Sequence, residues 1–344
     1  TKVPLIILGE MKLEVPGSTV IKNRYNIKVL LKSMANILQV TAKDMATLTV
    51  PKYFPIPIRF FTHMNKAYCD IYGEKELKDF KFEYVLAVEK DALIGNLLEE
   101  YKEEGAAHLF IRAEERLKFI NKASAIVVEE LAREDLTLSE RSEITEQGMG
   151  VVAEQFFEND EVSEMMASVS KTCIESINVM IKKVPKLKGL LSMLLENQAG
   201  YCYKHSVIAT YIASEIIEKV SWGSKEQQSK ISFVLFFHDI YLVPLYKKYP
   251  EALTEEDLLF SELVTDNDKT TVLEHAKLAG DMIRTFPRCP IGADMIITQH
   301  HGMTTGKGFA VAYKDDISPL AKILIIAEEV TMFILESMKN KDKK

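Results

Sequence analysis

The sequence predicts an α+β protein, with a small N-terminal α/β domain over residues 1–140 followed by an all-α helical bundle over residues 141–344. Three observations predict this. The first hundred residues alternate short apolar runs with proline and glycine punctuation. From about residue 113, helical periodicity takes over and glycines thin out. Of the 7 histidines, those at 205, 238, 275, 300 and 301 all fall in the second half, each beside an apolar helical stretch.

Taken in order, Val3–Leu8 is a compact apolar run closed by Gly9, and Met11–Val15 alternates before Pro16-Gly17, so residues 1–20 read as short β structure. Residues 26–50 read as a helix, with Ile27, Leu30, Leu31, Met34, Ile37 and Leu38 on a broad face. Pro55 and Pro57 make Tyr53–Phe60 an edge strand. Strands over 67–72, 82–88 and 108–111 enclose a helix at 93–102 that Gly105 stops. His63 and His108 lack polar company at ligand spacing and read as ordinary histidines. A helix over 114–131 leads to a charged connector at 133–146, and Gly148 and Gly150 mark a break. Further helices are expected at 151–158, 161–181 and 188–196.

Composition narrows the function. At 344 residues the chain can hold two domains, and 47% hydrophobic residues suffice for real cores. The net charge of -7 and pI near 5.7 give no footprint for DNA. The lysine-rich tail at 339–344 reads as a solvated end. Cys69, Cys173, Cys202 and Cys289 show no paired spacing, which fits a reducing, cytoplasmic compartment. No run reaches the roughly 18 apolar residues of a membrane span, and no signal peptide is visible.

The chemistry centres on His238-Asp239, which closes the apolar run Ile231–Phe237. A carboxylate there is costly unless it is paired or metal-bound. His205 leads an apolar helix, His275 sits mid-helix, and His300-His301 follows the apolar stretch 291–299 and precedes a glycine-rich loop at 302–308. Bundles build metal sites from inward-facing ligands on several helices. A nitrogen and oxygen donor set without cysteine suits iron, manganese or zinc.

The pattern His205, His238-Asp239, His275-x4-Gly280, His300-His301-x4-Gly306-x-Gly308 resembles the HD-GYP family of metal-dependent phosphohydrolases, over roughly residues 150–335. Leu253-Thr254-Glu255-Glu256 is similar to the family's LTxEE segment, and Ala321–Ala327 to the helix ending in its last metal-binding aspartate, a position held here by Glu328. The start of the chain is similar to sensory or regulatory domains that precede bacterial HD-type domains. The resemblance implies two divalent metal ions, iron first and manganese second. One would be held by His205, His238, Asp239 and Glu328, the other by Asp239, His275, His300 and His301. Asp239 would bridge them together with a water or hydroxide that attacks phosphorus. The implied substrate is cyclic di-GMP or a related phosphodiester, and protein partners in bacterial signalling are implied as well.

Tyr201 stands where some relatives carry a glutamate for a third metal, so two metals are expected. The departures gather in the residues that handle substrate. Leu242 replaces a phosphate-facing lysine, and the loop Gly306-Lys307-Gly308-Phe309 lacks the family's tyrosine and proline. Val330–Lys344 carries no arginine. Lys307, Lys247 and Lys248 are the candidates to supply the missing charge. Three readings follow: a divergent phosphodiesterase, a weakly active or inactive signalling module that keeps its metals, and a mixed-valent di-iron oxygenase, against which the glycine-loop spacing argues.

Overall fold

A computed structural model describes residues 5–8, 18–21, 33, 52–61, 64–77, 81–95, 97–106, 108–158, 162–184, 186–196, 200–252, 254–310 and 316–339. Apart from Ser33, the helix expected over 26–50 lies outside these residues, as do the alternating stretch 11–15, His63 and Leu253.

Two short strands, β1 (Leu5–Leu8) and β2 (Ser18–Ile21), pair in parallel. The main sheet is antiparallel and runs in the order β3 (Tyr53–Pro57), β6 (His108–Arg112), β4 (Ile71–Leu77), β5 (Lys81–Val88). As the prolines require, β3 is an edge strand, because an imide nitrogen has no hydrogen to give a second neighbour. Helix α1 (Leu97–Glu103) precedes β6, and Gly105 follows it with φ +81°.

Then the helices begin: α2 (Arg116–Leu131), α3 (Leu138–Glu158), α4 (Glu164–Lys183), α5 (Leu187–Glu196), α6 (Tyr201–Lys219) and α7 (Lys225–Phe237). They continue with α8 (Val243–Lys248), α9 (Glu255–Phe260), α10 (Asp266–Ile283), α11 (Ala293–Thr298) and α12 (Pro319–Lys339). The start signals are legible locally. Ser163, Ser224, Thr254 and Thr265 each accept a backbone N–H from the first turn of the helix they cap.

Two cores result. Phe61, Ile71, Leu109, Ile111 and Phe119 anchor the core beneath the sheet, and a larger one runs through the bundle. Helix α2 serves both, turning Phe119, Ile120, Ala123 and Ile126 to the sheet and Val127 and Leu131 to the bundle.

One expectation is corrected. The charged stretch after 138 is not a connector, and Gly148 and Gly150 do not break it. They lie inside the 21-residue α3, which runs through position 140. A Cβ on Gly148 would land on the Cys173 sulfur of α4 and come within 2.9 Å of Val127 Cγ1 of α2. The glycine is there so that three helices can approach, and that packing outweighs the roughly 1 kcal/mol helix penalty of a glycine.

Candidate metal centre

The five histidines from 205 onward converge within the bundle. His205 projects from α6, His238 caps the C-terminus of α7 with Asp239 next in line, and His275 lies on α10. His300 and His301 follow α11, and Glu328 comes from α12. His205, His238, Asp239, His275, His300 and Glu328 are all buried.

Backbone contacts aim the rings. Nδ1 of His238 lies 3.0 Å from the Leu235 carbonyl oxygen. Nδ1 of His275 and of His300 lie 2.6 Å from the Val272 and Ile297 carbonyls. In each case the acceptor is three residues back along the chain. A carbonyl can only accept, so Nδ1 carries the hydrogen and the Nε2 lone pair faces inward, the orientation a metal ligand needs.

The inward atoms form two groups, His205 with His238 and Glu328, and His275 with His300, His301 and Glu255. Asp239 stands between them and divides its two oxygens. Oδ2 is 3.2 Å from His238 Nε2 and 3.9 Å from His205 Nε2. Oδ1 is 3.4 Å from His275 Nε2 and 3.7 Å from His300 Nε2. Glu328 Oε1 completes the first group at 3.1 Å from His238 Nε2.

Protons alone do not account for this arrangement. His275 Nε2 lies 3.1 Å from His300 Nε2 and 3.0 Å from His301 Nε2, so three ring nitrogens crowd together. Nδ1 of His205, Nε2 of His238 and Oδ1 of Asp239 are buried without a hydrogen bond of acceptable geometry. Buried polar atoms in that condition are costly, and converging lone pairs repel. A cation in each group would satisfy His238 Nε2 and Asp239 Oδ1 and relieve the crowded ring nitrogens, so the residues fit two metal ions. The donors are nitrogen and oxygen throughout, as iron, manganese or zinc prefers.

Charge states agree with this. Burial pushes the imidazoles of His205 and His300 down to about 4 and that of His301 to about 3, which keeps them neutral as ligands must be. Burial also opposes charge on His238, but Asp239 and Glu328 outweigh it and raise the imidazole well above its usual value. His275 is raised in the same way, against burial, by Glu255 and Asp239. Without a metal these rings hold protons where a cation would sit.

Glu255 was not among the ligands expected from the sequence. Its Oε1 is 3.2 Å from both His275 Nε2 and His301 Nε2. Its segment is recognisable in the sequence, but nothing in the spacing shows that the first residue of α9 reaches His275, twenty positions on. Tyr201 lies beside the first group, its ring 5.8 Å from that of His205 and 4.8 Å from that of Tyr246. Burial pushes its phenol pKa up, so it stays protonated.

The loop at 302–310 is laced to α10. The Gly308 N–H donates to Leu273 O at 2.7 Å, and the Lys277 N–H to Gly306 O at 3.1 Å. Gly306 has φ +68°, and a Cβ there would come within 2.9 Å of the Lys277 backbone. Phe309 places its ring 4.3 Å from that of His301. The candidate cations are engaged elsewhere. Lys307 pairs with Glu274 at 3.0 Å, Lys247 with Glu154 at 3.5 Å and Lys248 with Asp268 at 2.7 Å. Leu242 is fully buried.

No family model matches the chain, and no curated protein matches it. Among solved structures the chain is similar to Bd1817, a HDG"Y"P protein from Bdellovibrio bacteriovorus. The two are 15% identical with a TM-score of 0.47, over 82% of this chain and 88% of that one. A likeness of that size carries no weight for activity or ligand. No helix among the described residues is long and apolar enough to cross a membrane.

Proposed function

We propose that the centre is the dinuclear-metal site of an HD-GYP-type phosphodiesterase, acting on cyclic di-GMP or a related phosphodiester. The observation that carries this reading is the division of Asp239, with one oxygen toward each histidine group. His205, His238 and Glu328 would hold one ion and His275, His300 and His301 the other, with Asp239 shared. Iron is the first candidate and manganese the second. When bound, such a pair lowers the pKa of water and neutralises charge on the attacking and leaving oxygens of a phosphoester.

The chain's own residues set the geometry. The carbonyls of Leu235, Val272 and Ile297 hold the rings in one tautomer. The hydrogen bonds from Gly308 and Lys277 keep the loop beside His301. Phe309, about one-third exposed at 37%, offers a ring face for a nucleobase. A division near residue 140, with an N-terminal regulatory or sensory unit, belongs to the same reading.

A second reading, a signalling module that binds nucleotide or partner without hydrolysis, is favoured by one observation. The lysines that could grip phosphate are paired with Glu274, Glu154 and Asp268. The deciding experiment uses protein loaded with iron(II) or manganese(II) and incubated with cyclic di-GMP and with an aryl phosphodiester. Turnover that follows metal content supports the enzyme. Two metals per chain with no product from either compound overturns it in favour of the module.

A further inference from the structure

We infer that Glu255 is a resident ligand of the second metal position and closes it to the substrate oxygen that a phosphodiesterase would have to admit there. The inference rests on the dinuclear reading above and deepens it.

The two halves of the centre are unequal. His205, His238, Glu328 and one oxygen of Asp239 face the first position. The second is faced by His275, His300, His301 and the other oxygen of Asp239, and in addition by Glu255. Catalytic sites keep positions open for water and substrate, whereas structural sites fill them with protein donors. With the added carboxylate, five protein donors face the second position and four the first, so the second is the more closed of the two.

Glu255 is built into this place. It is the first residue of α9, and Thr254 and Asp257 on either side form a reciprocal capping box. The Asp257 N–H donates to Thr254 Oγ1 at 3.0 Å, and the Thr254 N–H to Asp257 Oδ2 at 3.2 Å. That fixes the backbone from which the side chain reaches inward. The side chain is only 18% exposed, and the same oxygen meets His275 and His301 at 3.2 Å. A carboxylate removed from water needs compensation, and a shared divalent cation supplies more than the two imidazoles can.

The charge argument points the same way. Asp239 and Glu328 leave a pair of divalent ions with excess positive charge, which an anionic phosphodiester would ordinarily meet. Glu255 brings a negative charge to that position from within the chain. It therefore competes with the substrate class for which the site is otherwise equipped, at a centre whose neighbouring lysines are already paired. Phosphate access to the second position then depends on moving α9, a short helix whose far end exposes Phe260.

The test compares the full chain with Glu255→Ala and Glu255→Gln, and with Glu256→Ala, an exposed neighbouring carboxylate, as control. Manganese(II) titration with elemental analysis reads metal binding, and calorimetry with inorganic phosphate at saturating manganese reads access to the second position. The expected result for Glu255→Ala is a second equivalent bound about 10–100-fold more weakly, a range borrowed from outer-shell ligand-partner mutations. Phosphate is expected to bind at least about tenfold more tightly, the effect of removing roughly 1.4 kcal/mol of competition. Glu255→Gln, which keeps the shape and loses the charge, is expected to lie between, with Glu256→Ala like the parent. A second equivalent of unchanged affinity in both Glu255 variants, or unchanged phosphate binding at saturating metal, overturns the inference while leaving the dinuclear reading intact. A parent chain that binds no manganese overturns both.

Discussion

At the residue scale, Asp239 is the side chain on which the two histidine groups depend. Its carboxyl is buried, and burial alone would raise its pKa. His238, His275 and His300 instead hold it well below the usual carboxylate range, so it is ionised at neutral pH. Asp239→Ala leaves imidazoles from both groups facing a gap. The expected outcome is loss of both metals, read as less than one per chain by elemental analysis, and two retained per chain would refute the bridging role. Gly306 is the other critical position. Gly306→Ala forces a side chain into left-handed backbone, at about 1–2 kcal/mol, and drives it against the Lys277 backbone. The expected result is a lower melting temperature with weakened binding of the second metal equivalent. A fully stable variant would mean the loop is not clamped to α10.

At the scale of elements, packing decides what local pattern cannot. Gly148 looks like a helix stop because an isolated glycine in a charged stretch has no local reason to be helical. The reason lies across space, in Cys173 and Val127. Gly148→Ala should improve intrinsic propensity yet destabilise the fold by about 1–3 kcal/mol through overpacking, measurable by chemical denaturation. A stabilised variant would show that α2, α3 and α4 can separate.

The start of α10 makes a second case. Burial would raise the Asp268 carboxyl, but hydrogen bonds from Lys248, Tyr249 and Thr265 lower it below its ordinary value. A depressed carboxyl contributes stability above its unfolded pKa of about 3.9 and loses it as pH falls through the folded value. Stability of the parent chain is therefore expected to fall on acidification below about pH 4, and more steeply than that of Asp268→Asn. Parallel pH profiles of the two would remove Asp268 from the account. Because α10 carries His275, the same substitution is also expected to loosen the second metal position.

At the scale of the whole molecule, metal and fold are coupled. Five helices and the turn after α11 meet at the centre, so ions that bind only the folded chain stabilise all of it. At free metal about 1,000-fold above Kd, the gain is about 4 kcal/mol. A chelator should lower the melting temperature and metal should restore it, and an unchanged melting temperature would show that the clusters bind no ion. Loading should also release protons, since carboxylates hold His238 and His275 raised and a cation must displace those protons. Affinity is thus expected to increase as pH rises through neutrality. Calorimetry in buffers of different ionisation enthalpy counts the protons, and a count of zero would mean the rings are already free.

The sequence by itself determined a great deal here. The edge strand is legible because proline cannot donate. His205, His238, Asp239, His275, His300 and His301 stand out as polar residues beside apolar helical stretches, and Glu328 only by the resemblance of its segment to a family's last ligand. These are local rules, and each acts within a few residues. Tertiary structure alone decided the rest. It placed Glu255 against His275 and His301, divided the oxygens of Asp239 and gave Lys307 to Glu274. It also carried α3 through Gly148. The physical reason is common to all four. Each is set by the close approach of segments far apart in sequence, and a side chain's neighbours across such a contact leave no mark in its own stretch of sequence.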